Sequence, residues 1–82
     1  MTDWQDDPVT AAQYVLYVAD GERSVPQPGG FAEDLVRTIF RADRVNGARL
    51  RLGFPAFVDA VNLYKNIDHG YEELRKIAGV TK

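Results

Sequence analysis

A chain of 82 residues with 45% apolar and 27% charged residues has the composition of one small globular domain, which excludes global disorder. It contains no cysteine, so disulfides, iron–sulfur clusters, thiol catalysis and cysteine-bound zinc are excluded. The net charge of −2 is spread unevenly: residues 1–22 carry five carboxylates and no cation, whereas residues 35–52 carry five arginines and one aspartate. Such asymmetry is typical of a docking surface, or of an acidic tail that folds over a basic face.

No segment approaches the roughly 20 consecutive apolar residues of a membrane span. The first seven residues are polar and acidic, without the basic and apolar regions of a secretory signal. We therefore expect a cytoplasmic protein that makes no contact with a membrane.

Residues 1–6 are predicted to be a flexible acidic tail. Asp7-Pro8 is a typical helix start, with Asp as the N-cap, and the helix runs from Val9 to Ala19 and stops at Gly21. A strand over residues 14–18 followed by a hairpin at Asp20-Gly21 is the alternative. Because its return strand would be short and end in Pro26, the pattern favours the helix.

Residues 22–30 are rich in Pro and Gly and are predicted to be an irregular connector. Phe31 begins a helix whose apolar side chains share one stripe: Phe31, Leu35, Ile39 and Ala42. This helix either ends at Asn46-Gly47 or continues to Leu52. Continuation is favoured because Leu50 extends the apolar stripe. Asn46 would lie at the centre of the apolar stripe in the continuous helix, and would end the helix in the other interpretation.

Gly53-Phe54-Pro55 predicts a firm break, after which Pro55 opens another helix as far as Tyr64. A turn over residues 66–69, with Asp68 as a plausible N-cap, leads to a last helix over residues 70–78, and residues 80–82 should fray. The predicted fold is all-α, a compact bundle of about four short helices in one domain over residues 7–79. The predicted core includes Leu35, Ile39, Val61 and Leu74.

The residues that could carry catalysis are few. Ser24 lies in the connector without the glycines of a nucleophile elbow, and His69 lies in a polar turn. Glu72 and Glu73 are adjacent, so on a helix they point about 100° apart and cannot act as paired carboxylates. We expect no enzyme activity, no metal and no cofactor.

The arginines of the central segment are the best functional signal. On one helix, Arg37, Arg41 and Arg44 fall within about 60° of one another, opposite the apolar stripe, and Phe40 lies beside them. Arginine and aromatic side chains together are typical of binding hot spots. The predicted partner-binding residues are Arg37, Phe40, Arg41 and Arg44. A merely solvated face, with Asp34 and Asp43 as intrahelical partners, is the alternative that remains open.

Several short runs that contain helix-breaking residues also resemble those of a known group of proteins. They are Pro28-Gly29-Gly30-Phe31, Arg41-Ala42-Asp43 and Gly53-Phe54-Pro55, with Asn46 between the last two. Over residues 8–65 the chain is similar to small uncharacterised helical proteins of actinobacteria and their bacteriophages. The resemblance implies a helical fold and a phage or accessory-protein setting, and it implies no activity. Gly47 departs from that pattern, in which a residue other than glycine follows the asparagine. This departure argues against the prediction of one continuous helix.

Taken together, these features predict a non-enzymatic protein–protein interaction module, phage-encoded or accessory, that acts on a host protein. Its partner would be an acidic protein, and the chain is expected to form a homo-oligomer. A nucleic-acid-associated regulator that uses the arginine face is the alternative. It is less favoured because the chain is acidic, with a pI of about 5.2, whereas nucleic-acid-binding domains are usually basic.

Overall fold

The computed structural model describes residues 4–66 and 68–80, which form a short 3₁₀ turn and five α-helices. The turn covers Trp4–Asp6, and the helices are α1 (Pro8–Asp20), α2 (Gly30–Arg41), α3 (Arg44–Gly53), α4 (Pro55–Lys65) and α5 (Gly70–Ala78). The all-α prediction is confirmed, and residues 14–18 are helical rather than a strand. The predicted number of helices, about four, is one too low because the long second helix is in fact two.

Helix α1 starts and stops at the residues that its sequence indicates. Asp7 is the N-cap, and its carboxylate accepts hydrogen bonds from the Val9 amide at 3.3 Å and the Thr10 hydroxyl at 2.7 Å. Gly21 adopts the left-handed conformation with φ of 71°, which a side chain would disfavour. Local capping chemistry therefore fixes both ends of this helix.

The second predicted helix breaks at Ala42-Asp43, so its continuation to Leu52 is wrong, and so is a break at Asn46-Gly47. Ala42 is extended, with ψ of 138°, and the Asp43 carboxylate accepts a hydrogen bond from the Asn46 amide at 2.8 Å. Asp43 thus acts as the N-cap of a new helix. Asn46 neither ends a helix nor enters the core, but lies exposed in the first turn of α3.

The core lies where α1 packs against α2, α4 and α5. The predicted core residues Leu35, Ile39, Val61 and Leu74 are all buried, which confirms them. Phe31 was expected on the same stripe but is 59% exposed, because it lies in the first turn of α2, where its ring packs against the rings of Trp4 and Phe54 at the edge of the core.

The connector, predicted over residues 22–30, is irregular over residues 21–29, and Gly30 already belongs to α2. Side chains of the connector hold it against the helices. Val25 is buried, and the Glu22 carboxylate pairs with the Arg75 guanidinium of α5 at 3.1 Å. A hydrogen bond from the Ser24 hydroxyl, and then the Arg75 pair, lower the pKa of Glu22. The connector is therefore fastened to the last helix as well as to the core.

Helix α3 is the peripheral element of the fold. It has no buried residue, and it packs mainly against α4. One ion pair, between the Arg51 guanidinium and the Asp59 carboxylate at 2.9 Å, joins it to α4. Val45 and Leu52 are exposed on its outer side.

The two ends of the chain are described only in part. Of the predicted tail, residues 4–6 form the 3₁₀ turn, in which the Trp4 ring packs edge-on against Phe57 at 5.7 Å between centroids, and residues 1–3 lie outside the described residues. Of the predicted frayed end, Val80 packs against the core, and residues 81–82 also lie outside the described residues. Within the described ranges, every helix is too short or too polar to cross a bilayer.

Candidate functional site

Three of the four predicted partner-binding residues line one open hollow between α1 and α2. Arg37, Phe40 and Arg41 lie in the last two turns of α2, and the end of α1 forms the opposite wall. We call this hollow, of about 430 Å³, the α1–α2 groove; it is lined by Val18, Ala19, Arg37, Phe40, Arg41 and Tyr64. Sequence periodicity could not have found the α1 and α4 residues, because only the tertiary fold brings them to α2.

The floor of the α1–α2 groove is apolar and aromatic. The Phe40 and Tyr64 rings meet edge to face, with 5.8 Å between their centroids. Phe40 is half-buried by this contact, and the Lys65 ammonium lies 5.6 Å from its ring centroid. Phe40 is thus held in place by α4 and still presents part of its ring to the groove.

The Tyr64 hydroxyl points towards the end of α1. The Tyr64 oxygen lies 3.5 Å from the Ala19 carbonyl oxygen and 3.4 Å from the Asp20 carboxylate, and the hydroxyl donates towards these two acceptors. Burial, followed by the Asp20 charge, raises the pKa of Tyr64, which therefore remains a neutral donor. The Tyr71 hydroxyl donates to the same carboxylate at 2.8 Å, so two phenol hydroxyls stabilise the negative charge of Asp20.

The rim of the groove is cationic. The Arg37 guanidinium pairs with Glu33, four residues before it on the same helix, at 2.7 Å, and both side chains are partly exposed. An exposed pair of this kind is worth about 0–1 kcal/mol, so a better carboxylate could displace Glu33. Arg41 is exposed and has no ion pair within residues 4–66 and 68–80. In the same ranges Asp34, named as an intrahelical partner in the solvated-face interpretation, forms no ion pair with either arginine.

Arg44 does not share the face of Arg37 and Arg41, so the single arginine face predicted from one continuous helix is wrong. The break at Ala42-Asp43 makes Arg44 the first residue of α3. It lines a different cleft, between α3 and α4, together with Asn62 and Lys65. Asp43, a residue that commonly caps helices, was the one indication of this separation in the sequence. The apolar stripe that continues to Leu50 favoured a single helix instead.

The residues that were considered for catalysis are engaged locally. The Ser24 hydroxyl donates to the Glu22 carboxylate within the connector. His69 is exposed, with Nδ1 3.9 Å from the Glu72 carboxylate. The part of the chain that the structure describes contains no group of three side chains placed to hold a metal ion.

Comparison of the chain with family models, with curated proteins and with solved structures finds no match. The resemblance to small actinobacterial and phage proteins therefore stays a prediction.

Proposed function

We propose that this protein is a non-catalytic binding module whose α1–α2 groove receives an acidic segment of a protein partner. The observation that carries the proposal is the combination of an apolar floor, formed by Phe40 and Tyr64, with two guanidinium groups at the same groove. An apolar side chain of the partner would enter the groove, and carboxylates on either side of it would meet Arg37 and Arg41.

The chemistry of the groove favours a carboxylate-bearing peptide. The arginine side chain presents a planar fork of donors that matches a carboxylate in a bidentate manner. Aromatic rings supply contact area with little loss of conformational entropy, and arginine and aromatic residues are enriched where binding energy is concentrated. Arg41 lacks an ion-pair partner in the described part of the chain, so binding would not first have to break an internal pair at this residue.

A nucleic acid fits this groove less well. A single strand needs a continuous cationic track along its backbone, whereas the α1–α2 groove offers two guanidiniums and an aromatic floor. The acidic pI of about 5.2 also works against non-specific attraction to phosphates. The phage or accessory setting and the host-protein partner follow from the resemblance alone.

The proposal can be tested by selection from a peptide library in which one variable apolar position is flanked by Asp and Glu. We expect enriched peptides to lose at least about tenfold in affinity, or about 1.4 kcal/mol, with the R37Q/R41Q double variant. Arg23→Gln is the matched control, because Arg23 is an exposed arginine on the connector that stacks over Tyr17 at 4.4 Å, away from the groove. Circular dichroism should show that all three proteins are equally folded.

Three outcomes would contradict the proposal. One is enrichment of peptides without regard to acidic residues, and another is unchanged affinity in R37Q/R41Q. The third is preferential binding of a single-stranded oligonucleotide with a steep dependence on salt, which would indicate phosphate contacts. Sedimentation of the parent and of R37Q/R41Q over a range of concentrations tests the expected homo-oligomer separately, and shows whether the groove is used in it.

A further inference from the structure

A second hollow lies across the bend between α2 and α3. Its volume is about 470 Å³, and it is lined by Thr38, Arg41, Ala42, Asn46, Arg49 and Leu50. Thr38 and Arg41 are three residues apart on α2, and Asn46 and Arg49 are three residues apart on α3, so each pair shares a helix face. We call it the α2–α3 hollow. It lies at the bend where α2 ends and Asp43, as N-cap, begins α3.

All four polar side chains that line the α2–α3 hollow can donate hydrogen bonds, and two of them are positively charged. Two guanidiniums, a hydroxyl and a carboxamide line it, and no carboxylate of the described residues does. Neither Arg41 nor Arg49 has an ion pair in the described part of the chain. Three acidic residues of α2, α4 and the bend are already engaged: Glu33 pairs with Arg37, Asp59 pairs with Arg51, and Asp43 caps α3. Asp34, one turn before Thr38 on α2, forms no ion pair among the described residues and does not line the hollow.

This arrangement matches a small, highly charged oxyanion. Guanidinium forks bind phosphate oxygens in a bidentate manner, and a threonine hydroxyl and an asparagine amide can donate to the remaining oxygens. Phosphate monoesters carry about −1.5 to −2 charges at neutral pH, which two unpaired arginines balance. Ala42 and Leu50 are half-buried and supply apolar surface for the carbon chain that bears the phosphate.

We propose that the α2–α3 hollow is a binding site for a phosphate monoester, held between Arg41 and Arg49 with Thr38 and Asn46 as further donors. The site is distinct from the α1–α2 groove, and among the described residues only Arg41 lines both. The ester could be a small phosphorylated metabolite or a phosphorylated side chain of another protein, because the shared chemistry is the dianionic phosphate group.

The test is a titration followed by amide NMR at constant ionic strength, with three probes: inorganic phosphate, O-phosphoserine, and a phosphoserine peptide paired with its unphosphorylated twin. We expect phosphate-dependent shifts to concentrate on residues 38–50, and the unphosphorylated twin to leave them unchanged. Much tighter binding of the peptide than of O-phosphoserine would assign the ester to a protein, and equal affinity would assign it to a small molecule.

The informative variants are R49Q and N46D. R49Q should weaken phosphate binding about tenfold, while acidic peptides still bind the α1–α2 groove, so the two proposals can fail independently. N46D places a carboxylate in the hollow and should abolish binding, although an acidic residue in the first turn favours the helix. R44Q is the matched control, because Arg44 is on the same helix, forms no ion pair in the described part of the chain, and lines a different cleft.

Normal phosphate binding by R49Q or N46D would overturn the assignment. An equal loss of affinity in R44Q would do the same, because it would show attraction to the general positive charge of α3. Stronger binding of a single-stranded oligonucleotide than of the phosphopeptide, at the same amides, would replace the monoester by a phosphodiester backbone.

Discussion

Gly70 begins α5 in direct contact with the end of α4, and adding one methyl group there tests how tightly the two helices are joined. A Cβ on Gly70 would lie 2.6 Å from the Asn66 Cβ and still closer to the Leu63 carbonyl oxygen. Ordinary contacts between carbon atoms lie at about 3.5–4.0 Å. The methyl group would therefore push α5 away from α4 by at least about 1 Å, because the Leu63 carbonyl oxygen is a backbone atom that cannot turn aside.

The cost of that displacement can be compared with a control in the same chain. Overpacking of this kind costs about 1–3 kcal/mol, and we take about 2 kcal/mol as the expected loss for Gly70→Ala, which lowers Tm by about 8–16 °C in a domain of this size. Gly47 lies in α3, and the position that its Cβ would occupy has nothing within 4 Å, so Gly47→Ala should raise stability by up to about 1 kcal/mol through helix propensity alone. The same substitution should thus have opposite signs at the two sites.

Thermal and urea unfolding followed by far-UV circular dichroism measure both effects. Because the two variants have the same composition, differences in the unfolded state largely cancel. If Gly70→Ala is as stable as the parent or more stable, then α4 and α5 are not packed as closely as the structure shows. If Gly47→Ala is destabilised by several degrees, α3 does not form as described.

Two further predictions concern the start of the chain. The Thr10 hydroxyl, with the Val9 and Thr10 amides, holds the pKa of Asp7 below its ordinary value of 3.8, so its contribution to stability is complete above that pH and is lost as pH falls through the lower folded-state pKa. Asp7→Asn should therefore be less stable than the parent at pH 7 and equal to it at the acid end of a pH series of urea unfolding curves; a constant difference would contradict this. Trp4 is the only tryptophan, so its fluorescence reports the packing of the 3₁₀ turn on Tyr14 and Phe57. Acrylamide should quench it less in the native protein than in urea, and equal quenching would show that the turn is not packed.

The parts of the fold that the sequence predicted well are those set by local chemistry. Asp7-Pro8 and Pro55 begin helices, and Gly21 ends one with φ of 71°. Each of these residues acts through its own backbone or its near neighbours, so no tertiary information is needed. The predicted N-cap Asp68 is an exception and is wrong, because α5 has His69 as its N-cap, without a side-chain cap hydrogen bond. The buried residues on the stripe of α2 were also predictable, because a helical period places them on one face.

The break at Ala42-Asp43 could not be recognised from periodicity. Leu50 falls on the stripe of Leu35 and Ile39 when the helix is drawn straight, and that coincidence favoured a single long helix. Asp43 is a good N-cap, but aspartate is also common on exposed helix faces, so its capping role becomes clear only from the hydrogen bond to Asn46.

The candidate site followed the same pattern. Arg37, Phe40 and Arg41 lie together because they share α2. Arg44 does not line the groove, because the predicted continuous helix is two helices and Arg44 begins the second. Tyr64 completes the groove from α4, more than twenty residues away in sequence. Its neighbours could be identified only once the packing of α4 against α2 was known.

The peripheral position of α3 has a consequence for how the α2–α3 hollow would respond to a ligand. A helix without buried side chains, joined to the rest by α4 and one exposed ion pair, can unfold locally at a much lower free energy than the core. Its amides should then exchange with solvent by local opening, while those of α1 exchange only by global unfolding. An oxyanion that joins Arg41 on α2 to Arg49 on α3 would tie the loosest helix to the core, so hydrogen exchange would slow in α3 and change little in α1.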